Sequence, residues 1–239
     1  MDAIKPGRRA HAGALLLVLT ALAGAGCGSS SSTHSKTAAT GANAAGSSNA
    51  ASSSAAASSS ASSSQPGPER IPLEGGSTLA PASSTTPGTP VDGVKCAPVE
   101  QLAYHIHAHL QVYVNGQPRA LPGAIGLIGP VAQSTQFGPF YGAVRCYYWL
   151  HTHTYDGVIH IESPTPRIYT LGNFFVEWHQ PLGPNQVAGD QGKVTAFINA
   201  RSWTRDPRQI PLEPHAVVQL DVGLPAVPFR AVSWAGTVL

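Results

Sequence analysis

The chain of 239 residues has little fixed charge, because Asp, Glu, Lys and Arg together make up only 11% of it. A typical soluble domain carries roughly 25%. The net charge of +2 arises at the N-terminus, where three of the 14 basic side chains and one of the 12 acidic ones lie within the first nine residues. The rest of the chain is neutral, with no electrostatic footprint for nucleic acid or for an anionic membrane surface. We predict no nucleic-acid partner, and the sequence identifies no protein partner.

Methionine and the common nucleotide and hydrolase motifs are also missing. Met1 is the single methionine, so the thioether-rich sites that bind Cu(I) are absent. The chain has no Gly-rich phosphate loop, no Rossmann fingerprint and no nucleophile elbow. Histidine, by contrast, is abundant: eight of the ten histidines lie within residues 93–239. Imidazole is therefore the most distinctive chemical resource of the chain.

The N-terminus has the layout of an export signal. Basic residues at positions 5, 8 and 9 precede an apolar run from Ala12 to Ala25, which is shorter than the about 20 residues of a membrane-spanning helix. The run closes with Leu-Ala-Gly-Ala-Gly-Cys at 22–27, which resembles the lipobox of bacterial lipoproteins. This resemblance implies that residues 1–26 are a signal peptide and that a lipid on Cys27 anchors the protein at the outer face of the cell membrane. Ordinary signal cleavage, which would make the protein secreted, is the alternative.

The two remaining cysteines form a natural pair if Cys27 carries lipid. A disulfide between Cys96 and Cys146 would close a loop of about 50 residues and stabilise the fold by roughly 4 kcal/mol on a chain-entropy estimate. The alternative is that Cys146, five residues before His151, is a soft metal ligand.

Composition divides the rest of the chain into a tether and one domain. Residues 28–64 contain 16 Ser and 11 Ala, and residues 65–92 contain six Pro. Such segments bury too little apolar surface to offset the entropy of ordering them. We therefore predict a disordered stalk over 27–92 and a His-rich β domain over 93–239.

The domain is predicted to be mainly β: a single compact β-sandwich or barrel-like domain with one short helix. The clearest strand runs from Tyr104 to Val114, where apolar and polar residues alternate. The Asn-Gly dipeptide at 115–116 predicts a hairpin. A helix is predicted after Thr170, because apolar residues then repeat at helical spacing until Pro181. Further strands are predicted over Val144–Thr154, Val158–Glu162, Lys193–Asn199 and His215–Val222.

Three histidines flank an Asp-Gly dipeptide at 156–157. A two-residue turn there pairs His153 with His160 and His151 with Glu162. All four side chains then share one face of the sheet. Cross-strand Cβ separations of about 5 Å would let the three imidazoles converge on one ion. We therefore predict a metal site formed by His151, His153 and His160.

The neighbouring residues leave several arrangements open. Glu162 is a fourth ligand, an outer partner that orients His151, or a general base. His105, His107 and His109 make a second set on one face of their strand. If that strand neighbours the other two, all the histidines form one cluster; otherwise there are two sites or a collecting surface. Imidazole ligands suit Zn and Cu, and without thioethers we expect Zn or Cu(II).

Four segments together resemble a group of largely uncharacterised exported prokaryotic proteins. They are His-Ile-His-Ala-His-Leu at 105–110, Trp-Leu-His-Thr-His at 149–153, Gly-Val-Ile-His-Ile-Glu-Ser-Pro at 157–164 and Tyr-Thr-Leu-Gly-Asn-Phe-Phe at 169–175. The resemblance covers about residues 96–222. It implies that the His and Cys positions belong to one module, and it implies no particular activity.

The sequence leaves three functions open. The first is a tethered protein that buffers, delivers or senses a transition metal outside the cytoplasm. The second is a metal-dependent enzyme that uses the three histidines as ligands and Glu162 as a base. The third is a metal-free interaction module whose histidines respond to pH.

Overall fold

A computed structural model describes residues 65–82 and 88–239. The predicted signal peptide, the lipidation site at Cys27 and the Ser/Ala-rich part of the tether lie outside these residues. The described part of the chain is mainly β with one α-helix and several sheets, as predicted. None of its helices has the length and apolar character needed to cross a membrane.

Most of the strands are short, and two of them reach 11 residues. The elements in chain order are β1 (Ser77–Thr78), β2 (Cys96–Ala97), β3 (Tyr104–Val114), β4 (Gln117–Ala120), β5 (Leu127–Thr135), β6 (Gly138–Tyr148), β7 (Leu150–His151), β8 (Val158–Ser163), β9 (Tyr169–Thr170), α1 (Leu171–Glu177), β10 (Leu182–Gly183), β11 (Gln186–Val187), β12 (Asp190–Gln191), β13 (Val194–Ile198), β14 (Arg201–Trp203), a 3-10 turn (Pro207–Gln209), β15 (Pro211–Leu212) and β16 (Ala216–Val222).

Strand β3 lies at the centre of the largest sheet, whose order is β1-β4-β3-β16-β13-β14. Its N-terminal half also pairs with β8, and β8 in turn pairs with β7. The β3–β16 pair is parallel, and the β3–β4 pair is the antiparallel hairpin predicted from Asn115-Gly116. Both turn residues have positive φ, as a two-residue turn of this type requires. The predicted strand from Tyr104 to Val114 is confirmed in full.

One face of this sheet builds the core. Residues at alternate positions of β3 and β16 are fully buried there, among them Leu110, Val218 and Leu220. Phe174 and Trp178 of α1 belong to the same apolar cluster. The helix begins where the sequence predicts, because the Thr170 side chain accepts a hydrogen bond from the Asn173 N–H and the Thr170 N–H donates one to Asn173 Oδ1.

The opposite face of the sheet is polar and, except at His105, buried, and it has two halves. The histidine half comprises His105, His107, His151, His160 and Glu162 on β3, β7 and β8, together with His153 just after β7. The glutamine half comprises Gln111, Gln219 and Asp221 on β3 and β16. A C-terminal tail, residues 227–230, hydrogen-bonds to the glutamine half.

A second sheet, β2-β6-β5, supplies the surroundings of the histidine half. The predicted Cys96–Cys146 disulfide is confirmed and joins β2 to β6, with a Cα–Cα distance of 5.5 Å. Because the Cys146 sulfur is bonded to Cys96, the alternative in which Cys146 is a thiolate metal ligand is wrong.

The prediction of a two-residue hairpin turn at Asp156-Gly157 is wrong. The strand predicted over Val144–Thr154 breaks at Trp149 and ends at His151, and β8 begins only at Val158. The backbone between β7 and β8 accepts hydrogen bonds from other segments. Ala124 N–H donates to Thr152 O, Tyr141 N–H to His153 O, and Glu74 N–H to Tyr155 O. These tertiary bonds outcompete the local turn. The predicted pairs therefore do not form, and His151 lies opposite His160 instead.

The folded part of the chain also begins before the predicted boundary at residue 93. Ile71 is fully buried, and β1 pairs with β4 in the largest sheet. The Glu74 carboxylate accepts a hydrogen bond from the Leu121 N–H at 2.7 Å. Residues 65–82 are thus part of the domain, because a few well-placed apolar side chains outweigh the proline-rich composition.

Candidate metal centre

The strand register brings the two predicted histidine sets into one cluster. His107 and His151 lie on opposite sides of His160 in neighbouring strands, and His105 lies opposite Glu162. Directly opposed residues share a face of the sheet, so all these side chains point the same way. The arrangement is therefore one cluster rather than two separate sites.

The inner set consists of His151, His153, His160 and Glu162. One potential ligand atom from each lies within 4.8 Å of the others, and all four side chains are buried. His151 Nε2 is 3.1 Å from His153 Nε2. Glu162 Oε1 is 3.4 Å from His160 Nδ1 and 3.8 Å from His151 Nε2. These separations bracket the roughly 3.4 Å expected between ligands of a tetrahedral Zn²⁺ with bonds of about 2.0–2.1 Å.

Backbone carbonyls fix the tautomers of two of these histidines. His151 Nδ1 is 2.8 Å from Tyr148 O, and His153 Nδ1 is 2.6 Å from Tyr141 O. A carbonyl oxygen only accepts hydrogen bonds, so both Nδ1 atoms carry the hydrogen. In the neutral rings, both Nε2 atoms then present lone pairs to each other across 3.1 Å. This contact is repulsive unless a cation lies between the two nitrogens.

A carboxylate orients the third histidine in the same manner. His160 Nε2 is 2.7 Å from Glu69 Oε1, and both residues are buried. This bond leaves His160 Nδ1 as the nitrogen that faces Glu162. Metal-binding histidines commonly donate their second N–H to a carbonyl or a carboxylate, which fixes the ring and raises its basicity. Each histidine of the inner set has such a partner.

Glu162 has an unsatisfied oxygen in this site. Its Oε1 contacts His105 Nε2 at 3.1 Å as well as the inner histidines, whereas its Oε2 is buried and has no hydrogen-bond partner. An unpaired buried carboxylate oxygen is costly. A positive ion beside it would remove that cost, so the donor set of three imidazole nitrogens and one carboxylate fits a transition metal.

Burial and neighbouring charges shift the pKa values of these histidines away from neutrality in the metal-free protein. Burial, reinforced by the other histidines, lowers the pKa of His153 to about 4 and that of His151 well below its usual value. For His160, burial acts in the same direction, but Glu69 and Glu162 more than offset it and raise its pKa to about 10. Without metal, His160 is therefore the protonated member of the inner set.

An outer set consists of His105, His107 and His160. His107 Nε2 is 3.2 Å from His160 Nδ1, and the His105 and His107 rings are 4.6 Å apart at their centroids. Burial lowers the pKa of His107 to about 2, with the positive charge on His160 adding to the effect. The two sets share His160, and the outer one lies closer to solvent.

His109, the remaining predicted ligand, lies apart from both sets. Its Nε2 is 2.8 Å from Asp156 O, and its Nδ1 is buried without a partner. The side chain lines a cavity of about 490 Å³ between β3, residues 70–75 and residues 230–235. Burial lowers its pKa to about 4. The structure thus brings five of the six predicted histidines together and leaves this one beside them.

The sequence did not reveal two carboxylates of the centre. Glu69 lies 91 positions before its partner His160, within the segment predicted to be a disordered tether. Glu100 Oε1 lies 3.6 Å from His153 Nε2 in the loop between β2 and β3. Neither residue belongs to a local spacing pattern, so no sequence signal short of the fold itself marks them.

No family model, curated protein or solved structure matches the chain.

Proposed function

We propose that the protein binds one transition-metal ion, Zn²⁺ or Cu²⁺, through His151, His153, His160 and Glu162, in order to buffer, deliver or sense that metal. The observation that carries the proposal is the 3.1 Å approach of two imidazole nitrogens whose hydrogens are both directed elsewhere. Nothing but a cation or a shared proton relieves that contact, and the lowered pKa values of both rings disfavour the proton.

Zn²⁺ is the first choice for the ion. The inner set offers three nitrogens, one oxygen and no sulfur, which is a common zinc donor set. Three separations between its donor atoms, 3.1, 3.4 and 3.8 Å, suit a tetrahedral site, and all of the donor atoms lie within 4.8 Å of one another. Cu²⁺ binds the same donor types but prefers a tetragonal arrangement, and it is the second choice.

Enclosure favours a binding protein over an enzyme. The side chains of the inner set are at most 6% exposed, and Glu162 is already in contact with His105 and His160. A catalytic metal needs an open coordination position reached by substrate. The histidine pKa values also disfavour a pH-responsive module, because those of the buried rings lie far from neutrality on either side.

Export and membrane anchoring through Cys27 complete the proposal. The Cys96–Cys146 disulfide supports it, because disulfides persist mainly in oxidising compartments. The test is fractionation of a bacterial host that expresses the full chain. We expect the protein in the membrane fraction and the Cys27→Ser variant outside it; equal distribution of both proteins would contradict lipid anchoring.

The test of metal binding uses the full chain without a histidine tag, stripped with a chelator and then titrated with Zn²⁺ and separately with Cu²⁺. We expect one ion per chain in the wild type and loss of high-affinity binding in the His151→Ala/His153→Ala variant. His179→Asn is the matched control, because His179 is exposed, lies outside the cluster and has a positive φ that Asn tolerates. Negligible uptake by the wild type, or equal uptake by the double variant, would refute the proposal.

A further inference from the structure

We infer that a metal ion reaches the inner set through the outer set of His105, His107 and His160, and that the shared His160 prevents both sets from holding an ion at once. This inference rests on the proposed function and adds the route of loading and release. It concerns the rates of metal exchange, whereas the proposed function concerns binding at equilibrium.

The first observation is the gradient of exposure across the cluster. The side chains of His151, His153 and Glu162 are at most 2% exposed, whereas those of His105 and Glu100 are 34% and 40% exposed. His105 is therefore the member of the two sets that an ion from solvent reaches first. Glu100, whose Oε1 lies 3.6 Å from His153 Nε2, adds a partly exposed carboxylate to the cluster, and negative charge raises the local concentration of cations.

The second observation is that the two sets compete for one nitrogen. His160 Nε2 is bonded to Glu69, so Nδ1 is its remaining ligand atom. That atom is 3.2 Å from His107 Nε2 on the outer side and 3.4 Å from Glu162 Oε1 on the inner side. One lone pair binds one ion, so occupation of either set excludes the other. The protein should therefore hold one ion per chain even though its histidines could supply two sites.

The third observation is that the two sets are close enough for direct transfer. Glu162 Oε1 lies 3.1 Å from His105 Nε2 and 3.8 Å from His151 Nε2, so this oxygen contacts both sets. An ion could exchange His105 and His107 for His151 and His153 while His160 Nδ1 and Glu162 remain beside it. Such stepwise ligand exchange never leaves the ion without protein ligands.

A residue on the route changes the rates of binding and release without changing the equilibrium. We therefore expect His105→Ala to slow both Zn²⁺ association and Zn²⁺ dissociation. Because His105 also contacts the ligand Glu162, the dissociation constant is compared in His105→Gln, in which both rates should fall by the same factor; the stoichiometry should remain one. Glu100→Gln should slow association in the same direction.

The experiment is stopped-flow mixing of the metal-free full chain with Zn²⁺, followed by release from the loaded chain into a chromophoric chelator. His105→Gln separates the two roles of His105, because it keeps an N–H donor for Glu162 but lacks an imidazole ligand. We expect it to be as slow as His105→Ala, and we expect the control His179→Asn to match the wild type.

Three outcomes would overturn the inference while leaving the proposed function intact. The first is unchanged rates in His105→Ala, and the second is wild-type rates in His105→Gln, which would reduce His105 to positioning Glu162. The third is two tightly bound Zn²⁺ ions per wild-type chain, which would make the two sets independent. Absence of Zn²⁺ binding by the wild type would instead refute the proposed function.

Discussion

The two halves of the polar face provide partners for their buried polar side chains in different ways. Both bury polar side chains on one surface of one sheet, and β3 contributes to each. In the glutamine half, Gln219 and Asp221 exchange hydrogen bonds with the backbone of Val227, and Gln219 accepts one from the N–H of Arg230. The tail thus covers the glutamine half through hydrogen bonds between its backbone and these side chains.

The side chains of the histidine half are held differently. Besides the backbone carbonyls beside His151 and His153, they contact the carboxylates of Glu69, Glu100 and Glu162, and two of their nitrogen lone pairs face each other. Amides satisfy one another with both donors and acceptors, whereas the neutral rings of His151 and His153, whose N–H groups are bonded to carbonyls, present only acceptors to each other. The hydrogen-bonding groups of the glutamine half are therefore satisfied by the protein itself, whereas the facing lone pairs of the histidine half call for a cation.

The largest expected effect is that of acid on stability, which should arise from the buried histidines and not from the glutamine half. The pKa values of His107, His109 and His153 lie below that of an unfolded histidine, about 6.5, so the unfolded chain binds more protons between pH 6.5 and 4. Stability contributed by these neutral rings is fully present above pH 6.5 and is lost as pH falls, at about 1.4 kcal/mol per pH unit for each proton. Burial raises the pKa values of Glu74, Asp156 and Glu177, and these carboxyls act in the opposite direction, so we expect the metal-free protein to lose less stability than the histidines alone would cost.

His160 makes stability depend on pH in the opposite direction. Its pKa is raised to about 10, so its contribution is fully present below pH 6.5 and is lost as pH rises toward 10. The stability that the histidines contribute to the metal-free protein should therefore be greatest near pH 6.5. Urea unfolding of the wild type and of His109→Gln across pH 4–10, in the presence of a chelator, isolates the contribution of one ring; parallel profiles of the two proteins between pH 6.5 and 5 would contradict it.

Replacement of Gln219 should have the next largest effect, and it should damage only the glutamine half. Gln219→Leu keeps the approximate volume but removes the Gln219 hydrogen bonds to the N–H of Arg230 and the carbonyl of Val227, and it leaves the Gln111 amide with its bond to Arg230 O. Buried groups that lose a hydrogen bond cost roughly 1–3 kcal/mol each. We expect a loss of about 3 kcal/mol in the free energy of unfolding, equal with and without Zn²⁺.

The control for this variant is Gln133→Leu, a matched change at an exposed position of β5. It should change stability by less than about 0.5 kcal/mol. If Gln219→Leu instead abolished metal binding in a chain that remained folded, the two halves would be one coupled site, and their contrast would fail.

Local patterns in the sequence predicted the elements whose cause is local. Alternation predicted β3 to its end residues, and the capping residue Thr170 predicted the start of α1. The turn predicted at Asp156-Gly157 does not form because Ala124, Tyr141 and Glu74 donate hydrogen bonds to the backbone of the same segment. A local signal predicts structure only where no distant partner competes for the same backbone groups.

The candidate site follows the same rule. The histidines were found because a strand places alternate residues on one face, and that parity holds in any register. Their pairing was not found, because the register of β7 on β8 depends on bonds made elsewhere. Glu69 reaches His160 only through the fold of residues 65–82, and a proline-rich composition gave no reason to expect that contact.

Removal of the Glu69 carboxylate should have a smaller effect, confined to the histidine half. Glu69→Gln replaces the acceptor of the His160 Nε2–H with a weaker, neutral one. Loss of such an outer partner typically costs 10–100-fold in metal affinity. We expect a Zn²⁺ affinity reduced by about that factor, with one ion per chain retained. Glu213→Gln, at an exposed position, is the control; wild-type affinity in Glu69→Gln would show that Glu69 does not orient the ligand.

The smallest effect is expected at His109, which lies between the two halves. Its strand places it on the same face as His105 and His107, yet its Nε2 is bonded to Asp156 O and it belongs to neither ligand set. His109→Gln keeps a donor for that carbonyl and removes the imidazole. We expect Zn²⁺ affinity to change by less than the tenfold that even an outer partner contributes, as measured by competition with a chelator. A larger loss would move the border of the metal centre two residues along β3, from His107 to His109, so that it would include the histidine beside the cavity.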